Sequence, residues 1–437
     1  MVLAVIVGNG AREHAISKAL VRGGAKLKAF MKSYNPGIAK LAQHDVKLSS
    51  LDNFKELIDF AQGADFVVIG PEAPLVVGVA NALNAVNIPC IGPTIEAAQL
   101  EGSKMFTREL LRKYKIKSNI AFESFDKMEG VEAWINELGL ENVVVKPDGL
   151  TGGKGVKVFG AHLHNLPEVL DYCNECLLGS GGFVIEEKLD GEEFTLQTFV
   201  DGKHVIPTPL VQDHKRAYEG DTGPNTGGMG SYSMPDHLMP FVTKEDVALA
   251  LSEMEQSIVA LKKETNTEYK GFLYGQYMKT RNGIKLVEFN VRFGDPEAMN
   301  VLSIMESNMV DICLNVIDGT LSDNLKFKPV ATVCKYLVPD GYPLTPAKNQ
   351  PFEVDESSLD KLGVQYYYAS VDKREENVFT TGSRTMGLLG TGDTLEEAEK
   401  LAEQATKHVK GPLFHRTDIG TSKLLQKRIN HMNTILE

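Results

Sequence analysis

The sequence predicts a protein of several domains in the α/β and α+β classes, with a doubly wound parallel sheet at its N-terminus. Its 437 residues are enough for two to four domains. Short apolar runs, the first at residues 2–7, alternate with helical patterns as far as Pro93, which is typical of a parallel sheet covered by helices. Further along, alternating segments joined by tight turns predict antiparallel strands in an α+β arrangement.

The composition is that of a globular protein, with 43% hydrophobic and 24% charged residues. The net charge of -12 gives a nucleic-acid partner no general support. The start of the chain lacks the basic region of a signal peptide, and no apolar run approaches the roughly 18 residues that span a membrane. Five cysteines suit a reducing cytoplasm, and we expect Cys173 and Cys176 to share C-x-x-C spacing by chance within a helix.

Two loops of the first domain are expected at the same edge of its sheet. A strand at residues 2–7 leads into the glycine loop 8–14 and a helix, whose N-terminus is suited to hold a phosphate. This unit resembles a dinucleotide-binding fingerprint, but Glu13 stands where the third glycine belongs. Another strand leads into the turn 70–74, and ligands of open α/β sheets bind at this carboxyl edge. The alternative is that these glycines and prolines only shape turns.

A second glycine-rich loop is predicted to close over phosphates. We place a domain boundary near residue 103, where a basic helical stretch begins. A strand ending at Lys146 leads into a loop that returns to a strand, which excludes a P-loop, since that motif enters a helix and has Ser or Thr where Gly155 stands. Such a loop between two strands can act as a lid. Together with a helix at 165–178 and further strands, it predicts a small α+β lobe over about residues 120–205.

Residues 212–231 form a long loop rich in glycine and charge. Loops of this length inside a compact domain are usually functional or disordered, and its varied composition favours function. A helix at 243–263, a hairpin at 272–290 and a helix at 297–317 follow. The remainder, about 330–437, reads as strands and helices without a dense polar motif.

The densest chemistry lies at residues 285–297. In an extended strand successive side chains alternate between faces, which puts Leu286, Glu288, Asn290 and Arg292 on one face and Val287, Phe289, Val291 and Phe293 on a core face. A carboxylate and an amide oxygen two residues apart suit Mg²⁺, and Arg292 can grip a phosphate or carboxylate. Asp295 is a candidate helix N-cap. The alternative is an ordinary strand with a polar solvent face.

The register of the predicted hairpin decides where Gln276 lies. A two-residue loop at Asn282 and Gly283 would place Gln276 opposite Phe289 on the core side, where an unpaired amide is costly. A three-residue loop places it opposite Glu288, where it could serve as a neutral metal ligand. We therefore favour the longer loop and predict Gln276 as a ligand. The alternative is that Gln276 only hydrogen-bonds its surroundings.

With these motifs in order, the chain resembles the phosphoribosylamine–glycine ligase (glycinamide ribonucleotide synthetase) family of the ATP-grasp superfamily over nearly its full length. The resemblance rests on residues 8–14, 70–75, 101–104, 146–155, 212–216, 221–230 and 288–297. The sequence departs from the family pattern at Ala11, where glycine is usual, and at Pro147 and Thr151, where alanine is common. The stretch 366–384 also lacks the family's His-Ala-Gly-Thr run, which leaves details of the C-terminal domain open.

The resemblance implies three domains, at residues 1–103, 104–325 and 326–437, the second an ATP-grasp fold with a mobile lid lobe and the third a small α+β domain. It implies that ATP phosphorylates the carboxylate of glycine and that the amine of 5-phosphoribosylamine attacks the acyl phosphate, as in de novo purine biosynthesis. ATP and Mg²⁺ or Mn²⁺ are expected, in a cytoplasmic monomer or weak homo-oligomer without nucleic-acid or membrane partners.

The resemblance also implies roles for individual residues. The metal is expected at Glu288 and Asn290. The phosphates of ATP are expected at Lys104, Lys146, Gly152, Gly153, Lys154 and Gly155. Adenine and ribose are expected at Glu186, Glu187, Leu189 and Glu193. Glycine and the acyl phosphate are expected at Asp213, Lys215 and Arg292. Phosphoribosylamine is expected at Asn9, Gly10, Glu72, Asp221, Asn225, Gly228 and Met229.

Three other functions are compatible with parts of the sequence. A nicotinamide-dependent oxidoreductase would use the first glycine loop but would leave Glu288, Asn290 and the loop 212–230 unexplained. Another ATP-grasp ligase that joins a carboxylate to an amine would share the lysines and the metal acid, but not the combination of residues 70–72 with 212–216. A catalytically inactive nucleotide sensor would bind ATP without hydrolysis, although every expected type of ligand is present here.

Overall fold

The computed structural model describes residues 1–152 and 155–437, and its N-terminal part is a parallel sheet with helices on its faces. The elements are β1 (Leu3–Val7), α1 (Ala11–Arg22), β2 (Lys26–Met31), α2 (Pro36–Leu41), β3 (Val46–Leu48), α3 (Phe54–Phe60), β4 (Phe66–Ile69), α4 (Glu72–Val76), α5 (Val79–Asn84) and β5 (Cys90–Ile91). Every neighbouring pair is parallel, in the order β3-β2-β1-β4-β5, which confirms the doubly wound sheet. The loops after β1 and β4 lie side by side, since Gly70 N donates to Val7 O at 3.0 Å.

A small antiparallel sheet follows, and we call residues 122–187 the lid lobe. The elements from the boundary onward are α6 (Gln99–Gly102), α7 (Lys104–Lys113), β6 (Phe122–Phe125), α8 (Val131–Leu138), β7 (Val143–Pro147), β8 (Lys157–Val158), α9 (Leu166–Ser180) and β9 (Phe183–Glu187). The strand order is β6-β9-β7-β8. The lobe has a hydrophobic core separate from the main one, formed by residues such as Val131, Ile135 and Ile185. Cys173 and Cys176 are buried in α9, as expected for residues of a helix interior.

The central part of the chain forms a second antiparallel sheet, in the order β11-β10-β16-β17. Its elements are β10 (Glu192–Asp201), β11 (Val205–Pro207), β12 (Gln212–Asp213), β13 (Arg216–Tyr218), β14 (Thr222–Asn225), β15 (Gly230–Ser233), α10 (Lys244–Thr265), β16 (Lys270–Thr280), β17 (Gly283–Asn290), α11 (Glu297–Ile304) and α12 (Met309–Asp318). The predicted lid lobe reached residue 205, but β10 pairs along its length with β16. The single helix predicted at 297–317 is two helices.

The C-terminal part is built around β18. Its elements are β18 (Ala331–Pro339), β19 (Pro351–Val354), α13 (Glu356–Leu362), β20 (Gln365–Tyr368), β21 (Val371–Arg374), β22 (Asn377–Thr380), β23 (Met386–Gly392), α14 (Leu395–Thr406), β24 (Val409–Lys410), β25 (Leu413–Phe414) and α15 (Ser422–Leu436). Because β15 pairs with β18, the end of the loop 212–231 belongs to the C-terminal sheet β12-β15-β18-β23-β20. The exact limits of the three domains stay a prediction.

The hairpin of β16 and β17 corrects one prediction and confirms another. Thr280 pairs with Gly283, so the loop has two residues, and the predicted three-residue loop is wrong. A β-bulge at Val287 then shifts the register by one residue, and Gln276 does lie opposite Glu288. The bulge also reverses the alternation before it: Leu286, predicted on the face of Glu288, is buried in the core at 1% exposure.

Among the helices of residues 1–152 and 155–437, none combines the length and the apolar character needed to cross a membrane.

Candidate active site

The polar face of β17 carries a chain of hydrogen bonds. Asn290 donates through Nδ2 to Glu288 Oε1 at 3.4 Å, and Arg292 donates through Nη2 to Asn290 Oδ1 at 2.8 Å. Asn290 is buried and Glu288 is half-buried. The carboxylate, amide and guanidinium that the sequence placed on one face are therefore adjacent, and this face is not an ordinary solvent-exposed surface.

Glu288 lies in a cationic environment that suits a metal together with phosphate. Burial acts to raise the pKa of Glu288, but Lys215, Lys146 and Lys104 outweigh it and the pKa is lowered. No lysine nitrogen lies within 4.0 Å of this carboxylate in the part of the chain that the structure describes, which leaves space between the charges.

The oxygen donors fit a divalent cation. The same described part contains no group of three or more His, Cys, Asp or Glu side chains able to hold a metal alone. Mg²⁺ is commonly bound by one or two protein oxygen ligands plus substrate phosphates, so Glu288 and Asn290 form a suitable donor set.

Lys146 and Glu186 form a buried cluster with a residue that the sequence reasoning missed. Glu186 Oε2 lies 2.6 Å from Lys146 Nζ, and Glu186 Oε1 accepts from Arg108 Nε at 2.7 Å. Burial acts to raise the pKa of Glu186, but Arg108 and Lys146 lower it to about 2. Arg108 also donates to the carbonyl oxygens of Leu286 at 3.0 Å and Val287 at 2.8 Å, beside the bulge. It therefore ties the lid lobe to β17.

Lys104 is held at the base of the second glycine loop. Its Nζ donates to Gly149 O at 2.7 Å, and burial lowers its pKa. Asp148 accepts from Ser103 Oγ at 3.0 Å and from Met105 N at 3.1 Å, which fixes the start of α7 against the loop. Lys104 of α7 and Lys146 of the lid lobe thus both act on Glu288 from different elements.

Other residues predicted for the nucleotide lie along the same loop and the segment between β9 and β10. A Cβ added at Gly155 would come within 2.7 Å of Pro147 Cγ, so the loop packs closely there, whereas a Cβ at Gly152 would have no atom of the described residues within 4 Å. Gly153 and Lys154 lie outside the described residues. Glu187 accepts from Ala121 N at 2.9 Å, and Leu189 lies between β9 and β10.

Two successive hydrogen bonds connect Lys215, Gln276 and Glu193. Lys215 Nζ donates to Gln276 Oε1 at 2.5 Å, and Gln276 Nε2 donates to Glu193 Oε2 at 2.5 Å. Burial acts to lower the pKa of Lys215, but Glu193 and Glu288 outweigh it and the pKa is raised. The amide oxygen of Gln276 thus contacts Lys215, and its role as a metal ligand stays a prediction.

Arg292 is shared between two carboxylates of the N-terminal part of the chain. Its Nε lies 3.1 Å from Glu72 Oε2, and its Nη2 lies 3.1 Å from Glu101 Oε1. Burial acts to raise the pKa of Glu72, but Arg292 and Arg12 lower it to about 2. Burial and the neighbouring carboxylate of Glu72 raise the pKa of Glu101 to about 7 despite Arg292. The predicted contact of Arg292 with substrate stays a prediction.

The first glycine loop meets the turn after β17. Gly10 N donates to Glu13 Oε2 at 2.5 Å, and a Cβ at Gly10 would lie 3.9 Å from Asp295 Oδ2. Asn9 donates through Nδ2 to Ser33 Oγ at 3.0 Å. The prediction that Asp295 caps the following helix is wrong, because its carboxylate bonds Tyr336 OH and the N-cap of α11 is Pro296.

Arg384, which the sequence reasoning did not single out, connects this turn to the loop 212–231. Its Nη1 donates to Asp295 O at 2.7 Å, Gly228 O at 3.2 Å and Gly227 O at 2.5 Å. A cavity of about 390 Å³ adjoins it, with Lys348 as a second cation in its wall. The walls comprise Gly152, Thr226, Gly227, Tyr342, Pro343, Leu344, Pro346, Lys348, Gly382, Ser383 and Arg384. Arg384 belongs to no recognisable sequence motif, so the sequence alone does not indicate a role for it.

The residues of the loop 212–231 that were predicted to bind ligands lie in different parts of the structure. Gly228 has φ of +112°, and a Cβ there would lie 2.6 Å from Asp213 Oδ1, so Gly228 and Asp213 pack together beside Arg384. Met229 is fully buried in the main core. Asn225 pairs with Arg216 across β13 and β14.

Asp221 lies at the turn between β13 and β14, and its carboxylate binds Arg416 and Arg428 of the C-terminal segment.

Burial and Glu297 raise the pKa of Asp213.

The arrangement as a whole places Lys146 of the lid lobe, Lys104 and Lys215 near the carboxylate–amide edge of β17, and the glycine loop of the parallel sheet meets the turn that follows this strand. An antiparallel two-sheet domain that holds lysines against such an edge defines the ATP-grasp class of enzymes.

Family models match the three parts of the chain in order. The N domain of phosphoribosylglycinamide synthetase matches residues 2–101, its ATP-grasp (A) domain matches 102–298, and its C domain matches 332–422. The chain belongs to the phosphoribosylglycinamide synthetase family. The resemblance inferred from the sequence motifs is thereby confirmed.

Named relatives agree along the full length. A phosphoribosylamine–glycine ligase of Pyrococcus furiosus is 48% identical over 100% of this chain and 98% of its own length. That of Methanocaldococcus jannaschii is 47% identical over 99% of each chain. The crystal structure of a phosphoribosylamine–glycine ligase from Thermotoga maritima covers 95% of this chain and 100% of its own, with 28% identity and a TM-score of 0.80.

Proposed function

We propose that this chain joins glycine to the amine of 5-phosphoribosylamine and converts ATP to ADP and phosphate, which yields glycinamide ribonucleotide for purine biosynthesis. The observation that carries the proposal is the meeting of Glu288, Asn290 and Arg292 with three lysines, Lys104, Lys146 and Lys215, and with Glu72 of the N-terminal part of the chain. Membership of the synthetase family supports the choice of substrates.

The chemistry requires activation of a carboxylate. The oxygen of glycine's carboxylate attacks the γ-phosphorus of ATP, the bond to ADP breaks, and a glycyl phosphate forms. The amine of phosphoribosylamine then attacks the carbonyl carbon, and phosphate leaves with one glycine oxygen. The first step brings a carboxylate to the anionic phosphates of ATP. The second develops negative charge on the carbonyl oxygen and the leaving phosphate while the amine loses a proton, so fixed positive charge at Lys104, Lys146 and Lys215 lowers both barriers.

Glu288 and Asn290 would hold a divalent cation, with Gln276 as a candidate third oxygen donor. Such an ion supplies charge neutralisation at the phosphates. We propose Mg²⁺ as the physiological ion because the donors are hard oxygens, with Mn²⁺ able to replace it.

Asp213 and Glu297 offer a place for glycine's ammonium group. Glu297 is buried and Asp213 is half-buried, and burial together with Glu297 raises the pKa of Asp213 well above its ordinary value. Two neighbouring acids of which one is buried favour an added cation. A bound ammonium would meet this need and would direct glycine's carboxylate toward Lys215.

The cavity beside Arg384 is suited to the phosphate of phosphoribosylamine. Lys348 and Arg384 contribute two cations to its wall, and Gly227 and Gly382 allow close approach of backbone groups. Because Arg384 also contacts the Asp295 turn that meets Gly10, a sugar phosphate seated here would extend toward the first glycine loop. Arginine and lysine are the usual partners of phosphate oxygens.

Two further properties complete the proposal. The five cysteines are free and buried, which suits an enzyme of the reducing cytoplasm. We also propose a monomer or weak homo-oligomer that acts on small molecules, without a nucleic-acid partner, in keeping with the net charge of -12.

Release of ADP under systematic omission tests this function. The purified protein is given Mg²⁺, ATP, glycine and phosphoribosylamine, and then each mixture that lacks one substrate. ADP release that needs both glycine and the amine supports the proposal. Release that continues without glycine, or that rises more with another amino acid, contradicts the assignment of the substrates. A nicotinamide absorbance assay on the same protein tests the oxidoreductase alternative.

A further inference from the structure

The C-terminal helix α15 lies beyond the part of the chain that the family's C-domain model matches, which ends at residue 422. The helix packs through the buried side chains of Leu424 and Met432 and contacts β10 and β16. Its residue Arg428 binds two separate segments of the chain, and His431 binds the first of them.

The first segment is the start of β10. Arg428 Nη1 donates to Glu192 Oε2 at 3.0 Å, and His431 Nδ1 lies 2.7 Å from Glu192 Oε1. Glu192 is 3% exposed, so its carboxylate depends on these partners for compensation. The next residue is Glu193, whose side chain binds Gln276 and which we expect to meet the ribose of ATP. Gln212 also donates to Glu193 O at 2.8 Å.

The second segment is the turn between β13 and β14. Arg428 Nη2 donates to Asp221 Oδ2 at 2.7 Å, while Arg416 Nη1 donates to Asp221 Oδ1 at 3.1 Å. Asp221 holds a left-handed backbone conformation with φ of +62°, which a fixed side chain stabilises. This turn leads directly into the loop at Gly227 and Gly228 that adjoins the cavity and Asp213.

One guanidinium therefore bridges two carboxylates that belong to different sides of the site. We propose that Arg428, assisted by His431, is a positioning residue that holds the nucleotide side at Glu192 and the sugar-phosphate side at Asp221 in a fixed relation. It touches neither substrate. The inference rests on the proposed function for the identity of the two ligands, while the bridge itself rests on the contacts of α15.

Three variants distinguish the loss of this bridge from a general loss of stability. Arg428→Gln removes both contacts, and we expect the KM for ATP and the KM for phosphoribosylamine each to rise about 10-fold, the loss expected for one charge-assisted hydrogen bond per side, with a smaller change in kcat. Glu192→Gln loosens the nucleotide side alone and raises only the KM for ATP. Lys423→Gln removes one positive charge from an exposed position of the same helix and leaves every constant unchanged.

Hydrogen exchange tests the bridge independently of catalysis. In Arg428→Gln, backbone amides at residues 190–194 and at 216–225 exchange faster than in the parent, whereas those of the lid lobe do not change. Faster exchange in one segment only, or in the whole protein, contradicts the bridge, and so do unchanged KM values for both substrates. A protein that shows this exchange pattern but no glycine-dependent ADP release would refute the proposed function and leave the bridge standing.

Discussion

Replacement of Glu186 by glutamine tests the buried charge cluster that joins the lid lobe to β17. Glu186 is 2% exposed and compensates both Arg108 and Lys146. Glutamine keeps the shape but removes the charge, and two buried cations then lose their shared partner. Breaking a buried ion pair from one side costs about 3–5 kcal/mol at neutral pH, so we expect Glu186→Gln to destabilise the lid lobe by that amount.

The pH dependence gives a sharper magnitude. The pKa of Glu186 falls from 4.5 to about 2 on folding, which corresponds to about 3 kcal/mol at about 1.4 kcal/mol per pKa unit. Since the folded pKa is depressed, this stability is complete above pH 4.5 and is lost as the pH falls toward 2. The difference in stability between the parent and Glu186→Gln should therefore shrink steadily below pH 4.5.

The single tryptophan provides the assay. Trp134 lies in α8 of the lid lobe, and its Nε1 donates to Ile185 O at 3.2 Å, next to Glu186. Urea unfolding followed by its fluorescence, from pH 6 downward for as long as the protein stays folded, reports on this lobe.

Glu123→Gln is the matched control, since Glu123 is on β6 of the same sheet and pairs with Arg112 at the surface. We expect the control to change stability by less than about 1 kcal/mol. A difference between parent and Glu186→Gln that stays constant with pH would refute the reasoning.

Three further substitutions test the site. Glu288→Gln should abolish Mg²⁺-dependent ADP release while the protein stays folded, because it removes the anionic metal anchor from a strand face outside the core, and a variant that keeps most of its activity would remove Glu288 from the metal site. Arg292→Lys should lower turnover at least about 10-fold, since one ammonium cannot bond Glu72 and Glu101 as a fork does; turnover near that of the parent would contradict a need for the fork. Gly228→Ala should lower kcat because its Cβ would displace Asp213, whereas Gly220→Ala, with φ of +70° and open space, carries the backbone strain alone. Equal losses in the two glycine variants would show that strain, not Asp213, is responsible.

The parallel sheet and its ligand edge could be predicted because the signals are local. The apolar run of β1 and the glycines after it define a strand, a loop and a helix within a few residues. Loops that follow parallel strands lie at the same carboxyl edge of the sheet, where ligands bind, so the turn of Glu72 is predicted beside the loop of Gly10. The structure confirms the neighbourhood through the bond between Gly70 N and Val7 O.

The hairpin shows how a correct pairing can follow from a wrong local structure. Because burial of an unpaired amide is unfavourable, the sequence correctly predicts that Gln276 lies opposite Glu288. The loop length predicted to produce this pairing, three residues, is wrong. The structure has a two-residue loop and a bulge at Val287. Bulges depend on the fit between strand and surroundings, here on Arg108, which binds the carbonyl oxygens of Leu286 and Val287.

The missed residues act across long distances in sequence. Arg108, Arg384 and Arg428 belong to no motif. Their partners Glu186, Asp295 and Asp221 lie 78, 89 and 207 residues away in the sequence. No spacing in the sequence reveals such contacts. Helix α15 is different, because Leu424, Met432 and the capping Thr421 form a helical pattern that could have been recognised.

The path of one oxygen atom tests the central claim most directly. Glycine labelled with ¹⁸O in its carboxylate is supplied with ATP and phosphoribosylamine, and the phosphate released is analysed by mass spectrometry. If the carboxylate is activated by phosphorylation and then attacked by the amine, each phosphate carries one labelled oxygen from glycine. Phosphate without label, formed together with ADP and the ligated product, would contradict a glycyl phosphate intermediate and the account of the site built on it.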